Sequence, residues 1–399
     1  MPTKIFTFFL VMLWFVPPLA TFFQLDSYTI STVCIILLFN IVYYVYNRTI
    51  FSRFFISILI LSISFIFIHT IFTRLYFNIG YNLIRSFTSL FLLIIFLLGA
   101  FNLSKVLLQQ EPNIIKKIFT YFLFFFIFIV LLSYVTRIVD SKYAHPIFPY
   151  PEPSHFALFF GPVMGYLLMS CKSSKKRIFL VFIGLIISLL VQNMTLLVTI
   201  VILSVFIYNI YVFPILIVGG LGLFYFSDIE YFTSRLDFNN VEETNNLSSL
   251  VYLKGFQLIE EGLRISNGFG IGFQQLGYVP VRTEIGDYLL DLMDGIELNS
   301  HDGGFNAVKI IAEFGIFGLI LIFSYIIYLV KQWINFKNRS INALSSNEAL
   351  FFASIITIFS EFFFRGLGYF TTPMFLFITV LFLKKDLPVY SNLSKLNDK

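Results

Sequence analysis

Long runs of apolar residues follow one another along most of this chain, and they constrain its fold more than any other feature of the sequence. A helix needs about 20 apolar residues to cross the hydrocarbon core of a bilayer, and these runs have that length. The chain is 58% hydrophobic and only 12% charged. The backbone hydrogen-bonding groups at an open sheet edge find no partners in lipid, and the runs lack the alternation of polar and apolar residues that barrel strands show. The sequence therefore predicts an all-α polytopic membrane protein.

Twelve runs are predicted to be transmembrane helices. They fall near residues 5–23, 29–46, 54–72, 84–103, 118–135, 156–171, 178–192, 195–211, 212–226, 304–330, 343–363 and 368–383. The division between the eighth and ninth runs rests only on Asn209, Tyr211 and Pro214. We expect three regions: nine helices in residues 1–226, a long loop with short helices at 227–302, and three helices with a tail at 303–399.

The positions of Lys and Arg in the short connecting segments predict the orientation in the membrane. Segments on the side of the N-terminus carry seventeen of these residues. The opposite segments and helix ends carry five, namely Arg74, Arg85, Arg137, Lys142 and Arg365. We therefore expect both termini in the cytoplasm and the long loop outside. The first run is longer than a usual signal core, so we expect it to be retained as a helix.

Composition argues against several classes of function. The net charge of +5 comes from cations spread over short loops, whereas a nucleic-acid-binding protein needs a clustered basic face. Cys34 and Cys171 lie in separate predicted spans, so neither a disulfide nor a thiolate metal site is expected. The glycines of GFGIGF at residues 268–273 lack the dinucleotide-binding spacing and are interpreted as a tight turn. No cofactor, metal or nucleic acid is predicted.

Three segments of the chain together carry a resemblance to a known family. They are YPEPSHFALFFGP at residues 150–162, the loop segments 246–278 and 299–318, and EFFFRGLGYFTTPMF at residues 361–375. With the topology and length, they resemble the Wzy-type O-antigen polymerases over the whole chain. The resemblance implies a bacterial inner-membrane glycosyltransferase that joins undecaprenyl-diphosphate-linked oligosaccharide repeat units at the periplasmic face. The implied partners are the lipid-linked donor and acceptor, membrane lipid, a chain-length regulator and a flippase.

Two alternative functions stay open. O-antigen ligases, which transfer the polymer to the lipid A core, share the loop and an E-x-G-x-x-G helix, matched here by Glu313, Gly315 and Gly318. They usually carry one Arg where this chain has QNMTLL at residues 192–197, and another where Lys254 is the nearest cation. Both absences count against a ligase. A lipid-linked oligosaccharide flippase needs no long outer loop, and its two similar halves are not found in this sequence.

Glycosyl transfer from a lipid diphosphate needs cations that stabilise the charge on the leaving group. Arginine suits this task because its planar fork binds phosphate oxygens bidentately. Arg365 is the leading candidate, and Glu361, four residues earlier, is expected to support it on the same helix face.

Other arginines on the outer side are further candidates for diphosphate binding. They are Arg264, which follows a predicted amphipathic helix at residues 250–263, Arg137 and Arg282. Arg74 and Arg85 are interpreted as cations that extend to the lipid headgroups.

The reaction also needs a base for the acceptor hydroxyl, and two residues are predicted to be catalytic: Glu152 and His301. Two prolines flank Glu152 and favour an extended backbone, and Ser154 is expected to cap the helix that follows. His155 is expected to orient substrate or to pair with Glu152. His301 closes the long loop beside Asp302, where an imidazole can take the hydroxyl proton or donate to a phosphate.

Three further polar groups are interpreted as structural. The acidic residues Asp287, Asp291, Asp294 and Glu297 are expected on a solvated helix face. Lys309 and Glu313 are expected to form an ion pair in the tenth span, and His69 is expected to be packed and neutral.

Overall fold

The computed structural model describes residues 1–25, 27–47, 51–77, 81–139, 147–208, 246–339, 341 and 344–386. This part of the chain contains fourteen α-helices and no β-strand, which confirms the all-α prediction. The first eight helices are α1 (Thr3–Phe22), α2 (Tyr28–Tyr46), α3 (Arg53–Phe77), α4 (Leu83–Gln109), α5 (Pro112–Val139), α6 (Pro153–Ser170), α7 (Ser174–Leu190) and α8 (Met194–Tyr208). The predicted ninth span lies outside the described residues.

The remaining six helices follow the gap. They are α9 (Leu247–Ile265), α10 (Glu284–Leu292), α11 (Asn306–Phe314), α12 (Ile316–Lys337), α13 (Ser346–Phe363) and α14 (Thr372–Asp386). Helix α9 matches the amphipathic helix predicted at residues 250–263. Asp287 and Asp291 are exposed on α10, as predicted, whereas Asp294 and Glu297 are exposed beyond its end.

Six described helices are long and apolar enough to cross a membrane. They are Thr3–Phe22, Tyr28–Tyr46, Arg53–Phe77, Leu83–Gln109, Pro112–Val135 and Ile316–Lys337. Large apolar side chains are exposed along them, among them Ile68 (65%), Phe128 (60%) and Ile327 (68%). Such side chains are stable on an outer surface when lipid covers it. The chain is therefore a membrane-spanning protein.

Helices α6 and α13 pack against each other at the centre of the bundle. Small residues allow the close approach: a Cβ at Gly165 would lie 3.1 Å from the Ala353 Cβ. A hydrogen bond of 2.6 Å between the hydroxyls of Thr199 and Ser360 joins α8 to the same pair. This packing brings the N-terminus of α6, where Glu152 lies, close to the C-terminus of α13, which Arg365 follows.

The predicted tenth span is wrong as a single helix. The chain forms α11 and α12 there, with a break at Gly315, whose φ of 59° and ψ of −131° are accessible mainly to glycine. All residues of α11 from Asn306 to Glu313 are buried in protein, including Lys309. Of the two helices, only α12 has the length and apolar character of a membrane span.

The turn at residues 268–273 covers the break between α11 and α12. The Ile316 amide donates to the Gly268 carbonyl at 2.8 Å, and the Gly272 amide donates to the Glu313 carbonyl at 2.8 Å. Gly270 has a φ of +86°, and a Cβ there would overlap the Gly315 amide nitrogen. The predicted tight turn is confirmed, and the backbone that it approaches closely is that of the helix break.

Replacing Gly270 tests this docking, and Gly268 is a matched control. Both have a φ of +86°, but a Cβ at Gly268 meets nothing within 4 Å. Both alanine variants carry the strain of a left-handed residue, about 1–2 kcal/mol. Only Gly270→Ala adds a steric overlap, which typically costs a further 1–3 kcal/mol or so. We expect a clearly lower melting temperature in detergent for Gly270→Ala than for Gly268→Ala. Equal melting temperatures would mean that the turn is not packed on the break.

Candidate functional site

The segment before α6 presents Glu152 in an extended conformation. Its φ is −130° and its ψ is 146°, in agreement with the expectation from the flanking prolines. Ser154 does not cap the helix, so that prediction is wrong: α6 begins at Pro153, and Glu152 occupies the N-cap position. Proline suits a first helical position because its missing N–H would have no partner there. The Ser154 hydroxyl instead donates to the Glu152 carboxylate at 3.0 Å.

Arg365 joins three separate segments of the chain. Its Nη2 donates to both carboxylate oxygens of Glu152, at 3.0 and 2.8 Å. Its Nη1 donates to the Asn299 Oδ1 at 3.0 Å, at the end of the long loop. The Arg365 side chain is only 12% exposed. A guanidinium so far removed from water needs these partners, and they hold the three segments together.

Glu361 does not lie beside Arg365 as predicted. Helix α13 ends at Phe363, so helical spacing does not continue to residue 365. The Glu361 carboxylate accepts hydrogen bonds from the Asn306 amide at 3.1 Å and from the Thr371 hydroxyl at 2.7 Å. Asn306 also binds both backbone groups of Gly368, at 3.0 Å each. Glu361 thus supports the site by fixing the turn that carries Arg365.

His155 lies next to Glu152, but burial lowers the pKa of its imidazole to about 3, so the contact is not an ion pair. Its Nε2 lies 3.7 Å from the Glu152 Oε2 and 3.3 Å from the Arg365 Nη2. Its Nδ1 lies 3.3 Å from the Tyr28 hydroxyl on α2. The residue is only 6% exposed. His155 therefore connects the ion pair to the helix bundle.

His301 lies at the end of the long loop with one ring nitrogen held by the backbone. Its Nδ1 lies 3.3 Å from the Leu276 carbonyl oxygen. Because a carbonyl only accepts, Nδ1 carries the proton in this hydrogen bond, and Nε2 then carries the lone pair. The Tyr278 ring packs against the imidazole, with 5.0 Å between ring centroids. The imidazole is thus held in the tautomer that a general base needs at Nε2.

The buried carboxylate of Glu313 holds the segment that positions His301. It accepts hydrogen bonds from the Gln274 amide at 2.9 Å, the Leu276 amide at 3.2 Å and the Tyr369 hydroxyl at 2.7 Å. Lys309 Nζ lies 3.7 Å from it and also donates to the His301 carbonyl. The structure contains the predicted pair, and the pair also fixes the Leu276 carbonyl that binds the imidazole.

The other predicted site residues differ in their positions. Asp302 is half-buried, and its Oδ1 lies 3.2 Å from the position of a Cβ at Gly368. Arg264 is 71% exposed and binds Glu261 of its own helix at 2.6 Å, and Arg282 is exposed. No hydrogen bond in the described part of the chain joins either arginine to Arg365 or His301. The side chain of Arg137, on α5, lies outside the described residues.

Sequence reasoning did not single out several residues of the site. Asn299 binds Arg365, and Tyr28 contacts His155, yet each is an ordinary polar residue in the sequence. Arg85, which we interpreted as extending to the headgroups, has its guanidinium carbon 5.5 Å from the centroid of the Tyr278 ring. His69 is buried and bonds the Phe269 carbonyl at 2.8 Å, which fits the packed role expected for it. Only contacts distant in sequence reveal the positions of the first three.

The electrostatics of the site distinguish the two predicted bases. Burial raises the pKa of Glu152, but the Arg365 charge, the neighbouring His155 and the hydrogen bonds from Ser154 and Arg365 lower it more, to below its ordinary value. A carboxylate with a lowered pKa is a weak base at neutral pH. Glu152 is therefore better suited to hold Arg365, and His301 is better suited to accept a proton.

No family model, curated protein or solved structure matches this chain. Within the residues that the structure describes, no group of three or more His, Cys, Asp or Glu side chains could hold a metal ion.

The lowered pKa of Glu152 predicts how stability depends on pH. A lowered folded-state pKa contributes stability above the unfolded value, about 4.3, and this contribution is lost as the pH falls through the folded pKa. Glu152 is half exposed, so we expect an effect of about 1 kcal/mol or less. Melting temperatures of the wild type and Glu152→Gln should differ at neutral pH and converge in acid. A constant difference at every pH would contradict this role of Glu152.

Proposed function

We propose that this protein is a polysaccharide polymerase that transfers glycosyl units between lipid-diphosphate-linked oligosaccharides, as its resemblance to the Wzy-type O-antigen polymerases implies. One observation supports the proposal most: Arg365 connects the segment of Glu152, the end of the loop before His301, and the turn after α13. All three were expected outside the membrane. A cation, a base and their supports thus converge at one end of a membrane-spanning bundle, which suits a substrate carried by a lipid.

The proposed topology has twelve spans, a periplasmic loop at residues 227–302 and both termini in the cytoplasm of a bacterial inner membrane. The distribution of Lys and Arg supports this orientation. The helix break at Gly315 shortens the tenth span at its outer end but keeps α12 as a crossing helix. Glu152, His301 and Arg365 then all lie on the periplasmic side.

In the proposed reaction, the hydroxyl oxygen of the acceptor sugar attacks the anomeric carbon of the donor. The bond between that carbon and the diphosphate oxygen breaks, and the lipid diphosphate leaves with the electron pair. The hydroxyl proton moves to His301 Nε2, because Nδ1 is already bound to the Leu276 carbonyl. This assignment makes His301 the base and Glu152 the partner that positions Arg365.

The leaving diphosphate needs cations, and Arg365 is the first of them. Its two terminal nitrogens are occupied by Glu152 and Asn299. Binding of a diphosphate therefore replaces part of the Glu152 contact, which is accessible because that side chain is half exposed. Arg264, Arg137 and Arg282 stay as further diphosphate-binding candidates. The two whose side chains are described, Arg264 and Arg282, are exposed.

Alanine substitutions at His301 and Arg365 test the proposed roles. Loss of a general base should slow glycosyl transfer about 10²- to 10⁴-fold. We expect His301→Ala and Arg365→Ala to abolish polymer in cells while the protein still inserts into the membrane. Arg74→Ala, which removes an exposed cation at the end of α3, is the control and should leave polymer length unchanged. Normal chain lengths in His301→Ala would remove its role as base.

A deletion strain separates this function from its two rivals. A polymerase deletion should leave surface lipopolysaccharide capped with a single repeat unit, because the unit is still exported and ligated. Loss of all repeat units from the surface would indicate a ligase or a flippase instead. Gel electrophoresis of lipopolysaccharide from the deletion strain and from a strain complemented with the wild-type chain gives the answer.

A further inference from the structure

Arg85 occupies a position that its own helix does not favour. It lies in the first turn of α4, where the Asn82 side chain accepts a hydrogen bond from the Arg85 amide at 3.0 Å. The N-terminal end of a helix carries partial positive charge, so a cation there is destabilising and an anion is stabilising. Some other interaction must therefore account for the position of this guanidinium.

The guanidinium of Arg85 has weak partners for a half-buried cation. Its Nη2 donates to the Gln274 Oε1 at 3.5 Å, which is a long hydrogen bond. Its Nε is buried without a hydrogen-bond partner. No carboxylate of the described residues lies within ion-pair distance of it, whereas Arg264, Arg339 and Arg365 each have one. The described residues give the terminal nitrogens of Arg85 this long hydrogen bond and no carboxylate, so an added anion would be a stronger partner for them.

A rigid loop segment brings Arg85 and His301 to the same tyrosine ring. The Gln275 side chain accepts from the Asn82 amide at 2.8 Å and donates to the Asn82 carbonyl at 3.0 Å, and the Ser86 hydroxyl donates to the Phe273 carbonyl at 2.7 Å. These bonds fix the loop segment 273–278 on the first turn of α4. Tyr278 then contacts both groups: the Arg85 guanidinium carbon lies 5.5 Å from its ring centroid, and the imidazole centroid of His301 lies 5.0 Å from it.

We propose that Arg85 is a binding residue for a phosphate-bearing lipid headgroup, namely the diphosphate of the lipid-linked donor, beside His301. Arginine binds phosphate bidentately, and the positive end of α4 adds to its attraction for an anion. The neighbouring Ile84 is 81% exposed, which is typical of a helix end at the lipid boundary, where such a headgroup lies. The assignment rests on the proposed function and adds a second cation to Arg365.

Binding of a lipid diphosphate to the full chain in nanodiscs tests the assignment. The probe is a fluorescent polyprenyl diphosphate, compared with inorganic diphosphate as a competitor. We expect Arg85→Ala to weaken binding about tenfold or more, which corresponds to about 1.4 kcal/mol for a lost charge-assisted contact. Arg85→Lys should restore part of the affinity, because it keeps the charge but loses the fork. Arg74→Ala is the matched control and should bind as the wild type does.

Unchanged affinity in Arg85→Ala, or an equal loss in Arg74→Ala, would overturn the assignment. Competition by inorganic diphosphate at the affinity of the lipid would show that the site takes free diphosphate and would contradict a lipid headgroup. A chain that binds the lipid through Arg85 but forms no polymer from lipid-linked repeat units would overturn the proposed function and leave standing only the binding of a phosphate-bearing lipid headgroup at Arg85. Melting temperatures of the three variants show that each is folded.

Discussion

The ion pair between Arg365 and Glu152 is the interaction on which the candidate site depends. It joins the turn after α13 to the segment before α6. The hydrogen bond from Arg365 to Asn299 joins the end of the long loop to the same pair. A guanidinium that is 12% exposed would cost several kcal/mol of stability without such partners. The close packing of α6 and α13 brings the two charges together. The hydrogen bond from Arg365 to Asn299 in turn holds the end of the loop next to this ion pair.

A second buried carboxylate, that of Glu313, holds the loop segment 274–276 in place. It accepts hydrogen bonds from the backbone amides of Gln274 and Leu276. The turn at residues 268–273 forms backbone hydrogen bonds with the adjacent helix break at Gly315. The loop is thus attached to α11 by its backbone as well as by side chains. His301 obtains its orientation from the same segment, through the Leu276 carbonyl. The structural carboxylate and the proposed base are therefore parts of one arrangement.

Much of the helical layout could be predicted from the sequence, because span length and hydropathy are local properties. The amphipathic helix α9 and the extended backbone of Glu152 also follow from local rules of periodicity and proline geometry. The break at Gly315 could not be predicted in this way, since Ile316 and the residues after it continue the apolar run without interruption. It depends on the turn at residues 268–273, which is far away in sequence.

The site residues show the same difference between contacts that local spacing predicts and contacts that only the fold creates. His155 was expected to pair with Glu152 because one helical turn separates them, and the structure shows that contact. A spacing of four residues likewise predicted that Glu361 supports Arg365, but the helix ends between them and each has a different partner. The Arg365 partners, and the contact of Arg85 with Tyr278, arise between segments that only the fold brings together.

Charge reversal tests the convergence of these segments most directly. Glu152→Arg and Arg365→Glu should each lower the melting temperature of the purified protein, because each leaves like charges in contact in a poorly hydrated place. The double variant restores opposite charges, so we predict that it recovers a large part of the loss. Losses that simply add in the double variant would show that the two residues do not interact, and the account of the site would be contradicted.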